Sequence, residues 1–356
     1  MSNKKLKQVL AFSITIAVIL LYILHFSTVI IAFSNEWLKY LLLAILGLFI
    51  TVILASLVHE LGHIICGLIL GFKIDYLSIL FIKFTFAKKF KISLIFPFEF
   101  GETGLTPKNS KNYPDKIVAC AISGLIGSLI YMLFGMLVAT TTSSIETFVV
   151  FGLSYHLSAY IFLINLLPLS STSDGELLFS KLFKKDRDKV IFNNALQLGA
   201  DISLGVNPQD VDGELLKFYD ESGDKYSMQI LYFRYLSYFP NDDIGGFKQL
   251  DKIKDLNVLE GEEYIAVLKE KFFKALVLKE QDFIEKYQEE VVDYLSEYSS
   301  PSDYRIHATY RIYQGEYEWA KLIINDGLNN IDNFSIKGLV KLEKSILKSM
   351  LLDENS

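Results

Sequence analysis

The chain is predicted to be mainly α, a polytopic membrane helical core of four spans bearing a membrane-lying β-hairpin, followed by a C-terminal α-helical soluble domain. Three observations lead there. Four apolar stretches reach the roughly 20 residues that a helix needs to cross a bilayer. Charge is segregated, with 12 Lys and Arg against 8 Asp and Glu in residues 1–175, and 23 against 33 in residues 176–356. Between the second and third apolar stretches, hydrophobic residues alternate with period two, as they do on a half-buried strand. The division that follows is an N-terminal transmembrane anchor over 1–36, an intramembrane core over 37–180 and a cytosolic helical domain over 181–356.

Taken in order, the first apolar stretch is Val9–Phe33, too long for a signal peptide and without a small-residue cleavage site before Asn35, so it reads as an uncleaved anchor. The second is Leu38–Leu70. From Tyr40 to Val58 only Thr51 and Ser56 interrupt its apolar and glycine residues. Ile117–Ala139 and Thr147–Leu167 are the third and fourth. Cations fix the expected orientation. Lys4, Lys5 and Lys7 precede the first span, seven lysines from Lys73 to Lys111 follow the second, and Lys181, Lys184, Lys185 and Arg187 follow the fourth, whereas Ser34–Glu36 and Thr140–Glu146 carry none. The positive-inside rule then places both termini in the cytosol of a multi-pass protein of the cell membrane.

Ile82, Phe84 and Phe86 alternate with Lys83, Thr85 and Ala87, and Phe90, Ile92, Leu94 and Phe96 with Lys91, Ser93 and Ile95, about a turn at Ala87-Lys88-Lys89. This predicts a hairpin with one greasy and one cationic face. It either lies on the lipid surface or offers an edge to an unwound peptide by strand addition. Cys66 and Cys120 both fall in apolar runs, which argues against a disulfide framework. The acidic second half argues against a nucleic-acid partner, because phosphate backbones need clustered cations.

Within the second span stands His59-Glu60-Leu61-Gly62-His63. Residues four apart share a helix face, so His59 and His63 can offer two imidazoles to one metal ion, with the Glu60 carboxylate beside a bound water. That set points to metal-assisted hydrolysis below the membrane surface. A catalytic zinc commonly takes a third protein ligand. The nearby candidates are His25, His156, Glu146 and Asp174, of which Asp174 has the best context. It ends Asn165-Leu166-Leu167-Pro168-Leu169-Ser170-Ser171-Thr172-Ser173-Asp174-Gly175, where an asparagine deep in an apolar span is costly and the proline breaks the helix. The segment then folds back, with Gly175 allowing a tight turn. The competing reading makes Asp174 the N-cap of a helix over Gly175–Phe179. His156, about 13 Å of helix before Asn165, and His25 are given structural roles. Gly62, Gly67, Gly124 and Gly127, with the broken helix near Pro168, are places for a polar cavity, and for Gly124 and Gly127 close helix packing is the favoured reading.

The His59–His63 motif on one span and the Asn-x-x-Pro…Asp-Gly run after a later one resemble the site-2 protease family of intramembrane zinc metalloproteases, over roughly residues 38–180. The spacing from Asn165 to Asp174 is nine rather than the usual eight, and Ser123-Gly124-Leu125 stands where many members have Gly-Pro. The resemblance implies a three-span protease core made of the second to fourth spans. It implies one Zn2+ per chain held by His59, His63 and Asp174, Glu60 as general base, and Asn165 as a positioner of substrate or of the developing oxyanion. The implied activity is endoproteolysis of a membrane-embedded protein or peptide, near the cytosolic end of a transmembrane or signal-peptide-like segment. Anti-sigma factors, remnant signal peptides and precursors of exported peptides are substrates the family suggests. The alternative is a catalytically silent membrane scaffold or immunity-type binding protein of the same fold.

Beyond Ser180, helical stretches are punctuated by Asn207-Pro208, Pro240-Asn241-Asp242-Asp243 and Ser299-Ser300-Pro301. Tyr264–Leu278 and Asp282–Leu295 are expected to form an antiparallel pair. Ala308, Gly315-Glu316-Tyr317-Glu318-Trp319-Ala320 and Gly327-Leu328 resemble the turn and second helix of a tetratricopeptide repeat. A repeat array would imply a cytosolic peptide or protein partner; an unrelated helical bundle is the other reading.

Overall fold

The computed structural model describes residues 3–32, 34–86, 90–152, 154–169, 173–219, 224–254, 256, 259 and 261–353. The turn expected at Ala87-Lys88-Lys89, Phe33 at the end of the first stretch, and Ser170, Ser171 and Thr172 lie outside them. The chain is mainly helical and forms two compact units, one from residues 1–108 and 114–184, the other from 109–113 and 185–356.

Among the described residues, four helices are long and apolar enough to cross a membrane. Helix α1 spans Asn3–Ala32 and α2 spans Trp37–Ile69. Helix α3 spans Tyr113–Thr141. The fourth run starts as a single turn, α4 (Ile145–Thr147), passes through a widened π-helical turn at Phe148–Gly152 and continues as α5 (Ser154–Leu166). With water excluded, a spanning helix must satisfy its backbone internally, and in these leucine- and isoleucine-rich sequences hydroxyls such as those of Ser13, Thr15 and Thr28 donate back to carbonyls of their own helix. The backbones approach closely where side chains vanish. A Cβ on Gly47 would lie 2.6 Å from the Val150 carbonyl oxygen, and one on Gly127 would lie 2.5 Å from that of Val58. Gly62 meets the Ser123 carbonyl in the same way, and Ser123 Oγ donates to the Gly62 carbonyl at 2.9 Å. The α2–α3 glycines therefore serve close packing at the level of the histidine motif, where two helix backbones touch.

Helix α1, expected as a separate anchor, belongs to the same compact unit as the other three spans. Polar bonds hold it at intervals along its length. Lys7 Nζ pairs with Glu176 at 3.4 Å, Thr15 Oγ1 donates to Tyr160 Oη at 3.2 Å, and His25 Nδ1 lies 2.7 Å from His156 Nε2. His25 and His156, given structural roles in the sequence, thus bond to each other between α1 and α5.

Strands β1 (Phe72–Thr85) and β2 (Lys91–Pro107) form one antiparallel hairpin, in register from Phe72 opposite Pro107 to Thr85 opposite Lys91. It is about twice as long as the alternating segment in the sequence. The distal half pairs Ile82 with Leu94 and Phe84 with Ile92, and Phe86, Phe90, Ile92 and Leu94 are exposed apolar residues. The proximal half shows no alternation in sequence because glycines replace side chains on both of its faces, and the register shifts there between Ile74 and Tyr76 and again around Leu80.

The second unit is a helical array. Helices α7 (Asp186–Ser203), α8 (Lys225–Tyr238), α9 (Asp243–Leu250), α10 (Gly261–Leu278), α11 (Gln281–Ser296), α12 (Ser302–Tyr313), α13 (Tyr317–Asn330) and α14 (Lys337–Asp353) follow one another, with short turns between successive helices from α10 to α14 and longer connections before α8 and α10. The expected pair appears as α10 and α11. The helix–turn–helix expected around Gly315 appears as α12 and α13, with Gly315 at φ +80° in the turn and Gly327 leaving room for the Tyr304 ring. Helix α10 packs on α11 and α12, α12 packs on α13 and α14, and α14 also packs on α7, so the last helix of the unit meets the first. The core is aromatic-rich, with Tyr235, Phe272 and Leu236 fully buried. Through it runs an ion network: Arg305 binds Glu270 at 2.8 Å and Glu343 at 2.9 Å, between the rings of Phe239 and Phe273.

Candidate functional site

The site is built from five elements of the first unit. Helix α2 supplies His59 and His63 on one face, their rings 4.7 Å apart and edge to face, with Glu60 on the adjoining face. Both His59 and Glu60 are buried, at 6% and 4% exposure, and a buried ionisable pair in an apolar helix demands a specific partner. Helix α3 provides it. His63 Nδ1 donates to the Cys120 carbonyl at 2.8 Å, and His59 Nδ1 lies 2.8 Å from Ser128 Oγ. Gly124, between them on the same face, leaves the room that the His63 imidazole occupies; a Cβ there would overlap the ring.

Asp174 arrives from the fourth run. Helix α5 ends at Leu166, before Pro168, whose missing N–H cannot continue the ladder. The chain re-enters as α6 (Asp174–Leu182), where Ser173, not Asp174, is the N-cap: its Oγ accepts from the Glu176 N–H at 3.3 Å. That capping assignment corrects the competing reading of Asp174 and leaves its carboxylate free to face the histidines. The reason for Gly175 also changes. It carries no left-handed backbone angle; a Cβ there would strike the Leu166 carbonyl, so glycine is needed for close approach rather than for a turn. Among the other sequence candidates, Glu146 is exposed and pairs with Lys39 at 2.9 Å, and His25 and His156 are engaged with each other.

The three candidate ligand atoms form a near-equilateral triangle. His59 Nε2 and His63 Nε2 are 3.1 Å apart, and Asp174 Oδ2 lies 3.2 Å from the first and 3.4 Å from the second. Zinc bonds of about 2.0–2.1 Å in a tetrahedron require ligand–ligand edges of about 3.3–3.4 Å, so the triangle has the right size for one ion. Its electrostatics call for one too. The His63 Nδ1 proton is committed to the Cys120 carbonyl, which leaves a lone pair on Nε2 in the neutral ring, and among the described residues buried Asp174 Oδ2 has no hydrogen-bond partner of good geometry. Lone pairs gathered at 3 Å repel unless a metal ion or a shared proton stands between them. Glu60 is near enough to compete as a ligand, within 4.8 Å of both imidazoles. Its Oε2, however, accepts from Thr103 Oγ1 at 2.5 Å, which ties it to the hairpin.

A cavity of about 290 Å³ opens beside the triangle, lined by His59, Glu60, His63, Thr103, Asn165 and Asp174 among others. All five residues singled out in the sequence therefore border one space, Asn165 from the last turn of α5. Sequence reasoning missed Ser128, Gly101 and Thr103. Ser128 had a signal, since it lies four residues after Gly124 on the face that meets the histidines. Thr103 had none, because its partner is 43 positions away. The residues present fit a zinc ion with one position open to the cavity. No protein-family model, curated protein or solved structure matches the chain.

Proposed function

We propose that the protein is an intramembrane zinc endopeptidase that cleaves a membrane-embedded protein or peptide near its cytosolic end. One observation carries this reading: two imidazoles and a carboxylate converge at 3.1–3.4 Å beside a second, hydrogen-bonded carboxylate, inside a unit built of bilayer-length apolar helices. His59, His63 and Asp174 would hold the metal, and zinc bound there would supply Lewis acidity, which brings the pKa of a bound water toward about 7 and polarises a carbonyl. Glu60 accepts the proton of the attacking water as the C–O bond forms and delivers it to the leaving amine as the C–N bond breaks. Ser128 and the Cys120 carbonyl keep each imidazole in the tautomer that presents Nε2. Asn165, across the cavity, orients the substrate carbonyl. The lysines of the hairpin and of the segment that follows α6 support a cytosolic setting for this end of the bilayer by the positive-inside rule.

The test is to purify the protein in detergent, measure bound zinc, and compare wild type with Glu60→Gln on a reporter transmembrane peptide. Stoichiometric zinc in both, with cleavage by wild type alone, is the expected result. Equal cleavage by both would remove Glu60 from the mechanism. Zinc without turnover on any substrate would leave a metal-stabilised binding protein.

A further inference from the structure

The segment Gly101-Glu102-Thr103-Gly104 of β2 alternates between two tasks. Residues 101 and 103 face Glu60: Thr103 Oγ1 donates to Glu60 Oε2 at 2.5 Å, and a Cβ on Gly101 would lie 2.6 Å from Glu60 Oε1. Residues 102 and 104 face β1: Glu102 accepts from Tyr76 Oη at 2.7 Å, and the Tyr76 ring fills the space where a Gly104 side chain would stand. The strand alternation of side chains explains the split. One oxygen of the Glu60 carboxylate is thereby hydrogen-bonded and the other is covered by bare backbone, so the hairpin base clasps the group from one side while α2 carries it from the other.

We propose that Thr103 is a positioning residue for Glu60, and that the hairpin base is thus part of the catalytic assembly rather than only a membrane-lying appendage. The inference rests on the protease reading above. An unrestrained glutamate has three rotatable side-chain bonds; the Thr103 hydroxyl selects the rotamer that keeps one oxygen at the cavity. Displacement of the proton acceptor by about 1 Å can cost on the order of 100-fold in rate.

The experiment compares wild type, Thr103→Val, Thr103→Ser, Glu60→Gln and Glu60→Ala, all as full-length protein in detergent. Zinc content, kcat and KM on a reporter transmembrane peptide, and hydrogen exchange of the Gly101–Leu105 amides are read in each. Valine keeps the shape of threonine and removes the donor. The expected result is a fall in kcat of roughly 10- to 100-fold for Thr103→Val with KM and zinc content near wild type, and recovery in Thr103→Ser. Exchange at Gly101–Leu105 should rise equally in Thr103→Val and Glu60→Ala and stay low in Glu60→Gln, whose amide oxygen still accepts. Wild-type kcat in Thr103→Val, or unchanged exchange, overturns the proposal and leaves the protease reading intact if Glu60→Gln is inactive. Faster exchange without a fall in kcat also overturns it, since the contact would then serve the hairpin alone. Turnover by Glu60→Gln equal to wild type, or no turnover by wild type, overturns both.

Discussion

Replacing Ser128 by alanine removes one oxygen atom and no carbon, yet it should weaken zinc binding by 10- to 100-fold. Ser128 is buried on α3, and its Oγ lies 2.8 Å from His59 Nδ1. When His59 Nε2 binds the metal, its Nδ1 must carry the proton, so the serine oxygen is the acceptor in the loaded state. Without it, a buried N–H is left unpaired, which costs about 1–3 kcal/mol. In the metal-free state the ring escapes that cost by moving its proton to Nε2, 3.1 Å from His63 Nε2. The penalty therefore falls mainly on the loaded state and appears in affinity. At about 1.4 kcal/mol per tenfold, it corresponds to the 10- to 100-fold typical of outer-shell partners. Competition with a chelator of known affinity measures the dissociation constant in detergent. Ser56→Ala is the matched control, because Ser56 is equally buried on α2 but its hydroxyl has no hydrogen-bond partner. If the two variants bind zinc within twofold of each other, the assignment of Ser128 as the partner that holds the His59 tautomer is wrong.

Further perturbations probe other links. Gly124→Ala places a methyl group inside the His63 ring and should abolish stoichiometric zinc binding, read by metal analysis, while Gly199→Ala, with open space around it, should not. Arg305→Met leaves Glu270 and Glu343 buried without their cation and should destabilise the second unit by about 3–5 kcal/mol, measured by pulse proteolysis in urea on the full-length protein. Burial holds the Glu343 carboxyl above its ordinary range, with Arg305 opposing. Relative to the unfolded chain, folding shifts this group toward protonation, so stability falls as pH rises from the ordinary carboxylate value through the raised one; Glu343→Gln should flatten that loss in the same assay.

The four apolar runs, the histidine pair with Glu60 and the return of Asp174 after a broken helix were legible along the chain, because each depends on local periodicity or on a local breaker. Composition alone sets a helix of bilayer length, and a four-residue spacing alone puts two imidazoles on one face. The distal hairpin was legible for the same reason, its alternation being intact. The proximal hairpin was not, since Gly101 and Gly104 are there to make room for Glu60 and Tyr76, and an absent side chain leaves no pattern. Tertiary structure alone decided that Ser173 rather than Asp174 caps α6, that the Cys120 carbonyl and Ser128 fix the imidazoles, and that Thr103 holds Glu60. Each of those contacts joins residues from different elements or turns on which neighbouring oxygen wins one N–H. Spacing along a sequence determines which groups a helix presents; only the packing of helix against helix and strand determines what they meet.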